Sequence, residues 1–166
     1  MKMSEALLVE FDQEVEKTKK TLGRIPNDPE FKPHAKSMPL GALAAHIVEL
    51  VGFGESVVAT PMLEFSMSNY KPLPFESPAQ LIGVLEEGAV KLRKALAELP
   101  DSAWDDTWKL VFEGNPIFSG SRFLAYREMF LNHLVHHRAQ LGMYLRLKDV
   151  AVPGIYGPSA DEPWKG

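Results

Sequence analysis

Proline decides most of what this chain can fold into. Thirteen prolines in 166 residues fall in clusters, and proline inside a helix removes a hydrogen bond and clashes with the preceding turn. Between the clusters lie four segments whose apolar residues recur at helical spacing. The first runs from Ser4 to about Leu22, with Leu7, Leu8, Phe11, Val15 and Leu22 on one side and Gly23 ending it. The stretch Ile25 to Pro39, with Pro26, Pro29 and Pro33, reads as an ordered loop. A second helix starts near Pro39, with Ser37 as cap, and continues to about Phe65 through a break at Thr60-Pro61. Ser77-Pro78-Ala79-Gln80 is a helix-start signal, followed by Leu81, Val84, Leu85, Ala89, Leu92, Leu96 and Leu99 before Pro100 stops the helix. A fourth helix spans about Ser121 to Leu147.

Between the third and fourth helices the period changes. Thr107 to Phe112 is strand-like, Glu113-Gly114-Asn115-Pro116 reads as a turn, and Ile117-Phe118 follows, which predicts a short hairpin or an extended loop. The tail from Asp149, with Pro153, Gly154, Gly157, Pro158 and Pro163, is either held by packing or disordered. Together these elements predict an all-α, four-helix bundle with long crossover loops, a single domain over residues 1–166, and a short hairpin or extended loop before the last helix.

A net charge of -4 argues against a nucleic-acid partner. There is no run of 18 apolar residues, and Met1 to Leu8 lacks the pattern of a signal peptide, so the expectation is a cytoplasmic protein with no membrane partner. The absence of cysteine removes thiolate ligands and cysteine nucleophiles. Histidine, carboxylate and hydroxyl chemistry remain.

The histidines are placed to use that chemistry. Counting about 100° per residue from Tyr126, His133 falls at about -20°, His137 at about 20°, Gln140 at about -40° and Tyr144 at about 0°. The pair therefore lies in the middle of the inward stripe of the fourth helix. In the second helix, His46 sits at about -60° from Leu43, on the edge of the buried face. Imidazoles four residues apart on a helix can address one ion, and His46 supplies a third ligand if helices two and four are neighbours. The spacing alone leaves a second reading open, in which these are buried histidines satisfied by hydrogen bonds. Position 134 is leucine, so there is no zincin glutamate, and neither histidine has a glutamate three residues earlier, which disfavours a ferritin-like di-iron site. His136, at about -80°, lies at the rim. His136, Gln140 and Tyr126 are candidates for proton-handling or orienting catalytic roles, and Glu49, one turn past His46, is either a partner behind that histidine or, the simpler reading, a solvated residue.

The stretch Lys32-Pro33-His34-Ala35-Lys36-Ser37-Met38-Pro39-Leu40-Gly41-Ala42-Leu43-Ala44-Ala45-His46, the stretch Asn132-His133-Leu134-Val135-His136-His137-Arg138-Ala139-Gln140-Leu141, and Tyr144-Leu145-Arg146 resemble the DinB family of bacterial proteins, related to YfiT-like metalloenzymes. The resemblance continues into Ile155 to Glu162. Phe31 stands where tryptophan is frequent and Ala139 where glycine is, and neither touches a ligand position. The resemblance implies a four-helix bundle, usually a homodimer, with a divalent metal ion held by His46, His133 and His137. Three imidazoles suit zinc, nickel, copper, cobalt or iron, and zinc or nickel is the leading expectation. Related families include thiol S-transferases and thiol-dependent isomerases, so the implied function is a metal-dependent transferase or hydrolase that activates a low-molecular-weight thiol or water. The alternative is a non-enzymatic metal-binding dimer.

Overall fold

The computed structural model describes residues 2–164, so Met1, Lys165 and Gly166 of the predicted domain lie outside the described residues. Helix α1 (Met3–Leu22) buries Leu7, Phe11, Val15 and Leu22. Helix α2 (Leu40–Ala59) is the most apolar element, burying twelve residues that include Leu43, Ile47, Leu50 and Val57. It is long and apolar enough to cross a membrane by length and composition, and 56% of that stretch is buried inside the protein. The physical reason is its central position: α2 packs on α3 (Pro78–Glu98) on one side and on the last helix on the other, while α1 also touches both. Ser77 caps α3 as the sequence predicts, its Oγ accepting from the Gln80 N–H at 3.1 Å.

The last helix, α4, is continuous over residues 122–147 in three segments: an α-turn Arg122–Leu124, a π-helical stretch Ala125–Leu131 and an α-helix Asn132–Leu147. The Asn132 N–H bonds back to the Arg127 carbonyl, five residues earlier, as the wider π-turn requires. A turn of this width breaks the 100° count, so residues before and after the π-stretch no longer share the face that a regular helix would give them.

The all-α expectation is corrected: the protein is mostly helical but also holds a three-stranded mixed sheet. Strands β1 (Met62–Phe65), β2 (Thr107–Phe112) and β3 (Asn115–Ser121) lie in the order β1-β2-β3. The predicted hairpin is β2 and β3, antiparallel, with Phe112 paired to Asn115. Glu113 and Gly114 form its two-residue turn with φ of 49° and 75°, the left-handed pair that matches strand twist. The third strand is new. Met62–Phe65, expected as the end of the second helix, instead runs parallel to β2, with Met62 opposite Lys109. The helix stops because Pro61 offers no N–H and drives Thr60 to an extended conformation, φ -125° and ψ 159°. Its freed carbonyls are taken by the buried Arg122, whose Nη1 donates to Val57 at 2.6 Å, Val58 at 3.1 Å and Thr60 at 2.7 Å. A guanidinium cation at a helix C-terminus also meets the negative end of the helix dipole.

The tail is held by packing. Tyr156 lies over Lys17 and accepts from Arg138 at 2.6 Å while donating to Glu14 at 2.7 Å. Asp161 pairs with Arg146, and Glu162 with Arg24 at 2.7 Å. Arg138 thus forms an inter-helix ion pair with Glu14, both almost fully buried, at 2.5 Å.

Candidate metal centre

The imidazoles meet because two helices touch closely. A Cβ on Gly54 of α2 would fall 2.7 Å from the Phe130 ring of α4. Glycine here lets the helices approach, and His46, eight residues or about 12 Å earlier along α2, faces the next turns of α4. The ring centroids of His46 lie 5.3 Å from His133 and 4.8 Å from His137, and those of His133 and His137 are 4.6 Å apart. One ligating nitrogen from each ring lies within 4.8 Å of the other two. All three rings are half-buried.

The outer nitrogens of two rings are fixed by acceptors. His133 Nδ1 faces the Met129 carbonyl at 3.3 Å, and His137 Nδ1 faces Gln140 Oε1 at 2.8 Å. An acceptor opposite Nδ1 places the proton there, so each neutral ring presents a lone pair at Nε2. The two Nε2 atoms face each other at 2.7 Å. Two lone pairs repel at that distance unless a cation sits with them. A proton is disfavoured: burial lowers the pKa of both rings, and neighbouring imidazoles lower it further, against raising by the Met129 and Gln140 contacts. A divalent metal fits the donor set. Nitrogens about 2.1 Å from one tetrahedral ion are roughly 3.4 Å apart, between the closest pair at 2.7 Å and the 4.8 Å limit of the cluster.

Glu49 completes the arrangement, and here the sequence reading is corrected. It is half-buried, not solvated, and its Oε2 lies 3.7 Å from His46 Nδ1. The same carboxylate accepts the Tyr70 hydroxyl at 2.9 Å and the Leu73 N–H at 2.7 Å. Burial alone would raise the Glu49 carboxyl, but the His46 ring, the Leu73 N–H and Tyr70 together hold it below the ordinary range. Burial and then Glu49 push the Tyr70 hydroxyl up to about 12, so it stays a donor. A carboxylate behind a histidine is the usual support of a metal ligand, fixing tautomer and ring orientation. The available signal was the i,i+3 spacing of His46 and Glu49; the missing one was the loop that buries the carboxylate.

The remaining candidates separate. Gln140 contacts His137 through Oε1 and donates through Nε2 to His136 Nε2 at 3.0 Å. His136 is exposed at the rim, its ring 5.0 Å from that of His137. Tyr126 is taken out of the site by the π-stretch: it is fully buried against Trp104 and Phe130, and its hydroxyl makes no hydrogen bond among the described residues. Tyr144, on the same predicted stripe, donates to the Met38 carbonyl at 3.1 Å. His34 caps its own loop, its Nδ1 accepting from the Lys36 N–H at 3.1 Å.

A cavity of about 690 Å³ opens beside this cluster, lined by His46 and His133 together with residues of α2, β1, β2 and the loop after β1. The fold around it has solved counterparts. A DinB-like protein from Bacillus cereus ATCC 10987 superposes with a TM-score of 0.67 at 21% identity, covering 92% of this chain and 97% of that one. The chain has the DinB-like fold. A DinB-like protein from Bacillus subtilis gives a TM-score of 0.65 at 18% identity, covering 90% of this chain and 96% of that one. No family model matches the sequence. Among curated proteins, the uncharacterized protein YrdA of Bacillus subtilis (strain 168) is 26% identical over 160 residues, 93% of this chain and 89% of that protein.

Proposed function

We propose that this protein is a DinB-like metalloenzyme, built on a four-helix bundle, that holds a divalent metal ion, zinc or nickel, on His46, His133 and His137. The observation that carries the reading is the convergence of three imidazoles, with the Nε2 atoms of His133 and His137 2.7 Å apart and both Nδ1 atoms facing acceptors. Such an ion, when bound, lowers the pKa of a water or thiol and supplies a nucleophile at neutral pH. The protein's own residues prepare the site. Burial keeps His133 and His137 unprotonated and available as ligands. Glu49 and Gln140 orient the rings of His46 and His137 from behind. His136, exposed beside Gln140 at the rim, is the candidate for relaying a proton between the site and solvent.

The reaction class is transfer to or from a small-molecule thiol, or hydrolysis. Three protein ligands leave a position for a co-substrate, and the cavity beside His46 and His133 gives that co-substrate room. This favours catalysis over a non-enzymatic metal-binding dimer. The family resemblance adds a homodimer, and the net charge of -4 favours small molecules over nucleic acid. The test is cobalt substitution followed by a panel of low-molecular-weight thiols. A shift in the cobalt absorption with one thiol, absent in His137→Ala, is expected; spectra indifferent to every thiol would contradict thiol activation.

A further inference from the structure

We infer that the cavity beside His46 and His133 is a pocket for a small molecule with an apolar body, seated against Leu50, Phe53, Leu63, Phe65 and Leu110 with its reactive end toward the imidazoles. The inference deepens the proposed function and rests on the imidazoles being the reactive centre.

At about 690 Å³ the space lies in the range of small-molecule sites, which are concave and mostly apolar with few polar groups. Its walls are built from separate elements. Leu50 and Phe53 come from α2, Leu63 and Phe65 from β1, and Leu110 from β2. Along β1 the half-buried residues alternate with exposed ones, so Leu63 and Phe65 share one face. Met129, from the π-stretch of α4, joins the lining next to His133. The unexpected strand β1 thus has a role: it supplies a wall that a plain helix bundle would lack.

Glu64, Asn69 and Lys71 also line the cavity and are exposed to solvent, whereas two of its polar groups are committed to each other. Glu49 and Tyr70 bond each other, and Glu49 also takes the Leu73 N–H, which pins the loop after β1 over the cavity. A peptide- or sugar-bearing thiol pressed into the apolar walls would lose hydration without regaining hydrogen bonds. The apolar walls therefore suit the apolar body of a co-substrate, and the polar part of a thiol would lie outside them, toward the exposed residues.

The test uses the neutral solvatochromic dye Nile red on the full chain, with and without zinc. Expected is saturable binding of one dye per chain with blue-shifted emission, and quenching of that emission when cobalt replaces zinc. Leu63→Arg, which puts a charge into the apolar wall, should weaken dye binding about tenfold or more, and Leu63→Trp should weaken it by filling the space. Each variant is checked for an unchanged melting curve; the cobalt quenching needs no variant at all. Trp164→Ser, in a separate cavity formed by the tail, should bind dye like the parent. Absence of saturable binding, absence of quenching in a chain shown by elemental analysis to hold cobalt, or loss of binding in Trp164→Ser would overturn the pocket. Zinc binding is read independently by elemental analysis: dye bound without zinc binding would sink the metal reading and leave the pocket standing.

Discussion

Glu49→Gln isolates the support of His46 at almost constant shape. Glutamine keeps an oxygen for the Tyr70 hydroxyl or the Leu73 N–H, so the loop retains an anchor, while the negative charge 3.7 Å from His46 Nδ1 is lost. Removing the group behind a metal-ligating histidine costs about 10–100-fold in metal affinity, equivalent to about 1.4–2.8 kcal/mol. The 3.7 Å separation is longer than a hydrogen bond, and the pair is partly exposed to screening solvent, so the lower end, about tenfold, is expected. The assay is competitive zinc titration against a chromophoric chelator, alongside thermal melts of the metal-free proteins. A tenfold weaker zinc constant with an unchanged melt is the predicted result. Zinc affinity within twofold of the parent would refute the role assigned to Glu49.

The metal-free protein should lose stability in acid. Burial lowers the pKa of His133 and His137 from 6.5, so below about that pH the unfolded chain binds more protons than the folded one and stability falls as pH drops toward the folded pKa values. Melting curves between pH 5 and 8 should show this slope, and the double variant His133→Asn with His137→Asn should flatten it; an equal slope in both proteins would contradict it. Arg138→Met strands the buried Glu14 carboxylate and should cost about 3 kcal/mol in urea unfolding, the low end for a broken buried pair because Lys17 and Tyr156 still contact Glu14. A loss below about 1 kcal/mol would show that the pair is not a buried ionic contact in solution. Gly54→Ala places a methyl 2.7 Å from Phe130, so overpacking of about 1–3 kcal/mol is expected together with weaker zinc binding; a stable variant with parental zinc affinity would show that helix approach does not set the site.

Local rules made much of this protein legible in its sequence. Proline clusters, the Ser77 cap and the Glu113-Gly114 turn act within a few residues, and they located the helices and the hairpin closely. What escaped depends on contacts distant in sequence. Met62–Phe65 is a strand because β2, more than forty residues later, pairs with it; nothing within the segment distinguishes it from a helix end. The same limit applied at the site. His133 and His137 could be placed on one face because the helix from Asn132 onward is regular, whereas Tyr126 was misplaced by a π-turn that the apolar period does not announce. Glu49 looked solvated because its burial is made by Tyr70 and Leu73, on a loop whose path the sequence does not show.

The central claim is that three imidazoles hold one metal ion, and it is tested most directly by elemental analysis of protein purified without a metal-affinity tag and reloaded with zinc or nickel. One divalent ion per chain is expected, lost in each of His46→Ala, His133→Ala and His137→Ala and retained in Tyr126→Phe. A parent protein that binds no divalent ion, or a His137→Ala variant with undiminished metal content, would contradict the account.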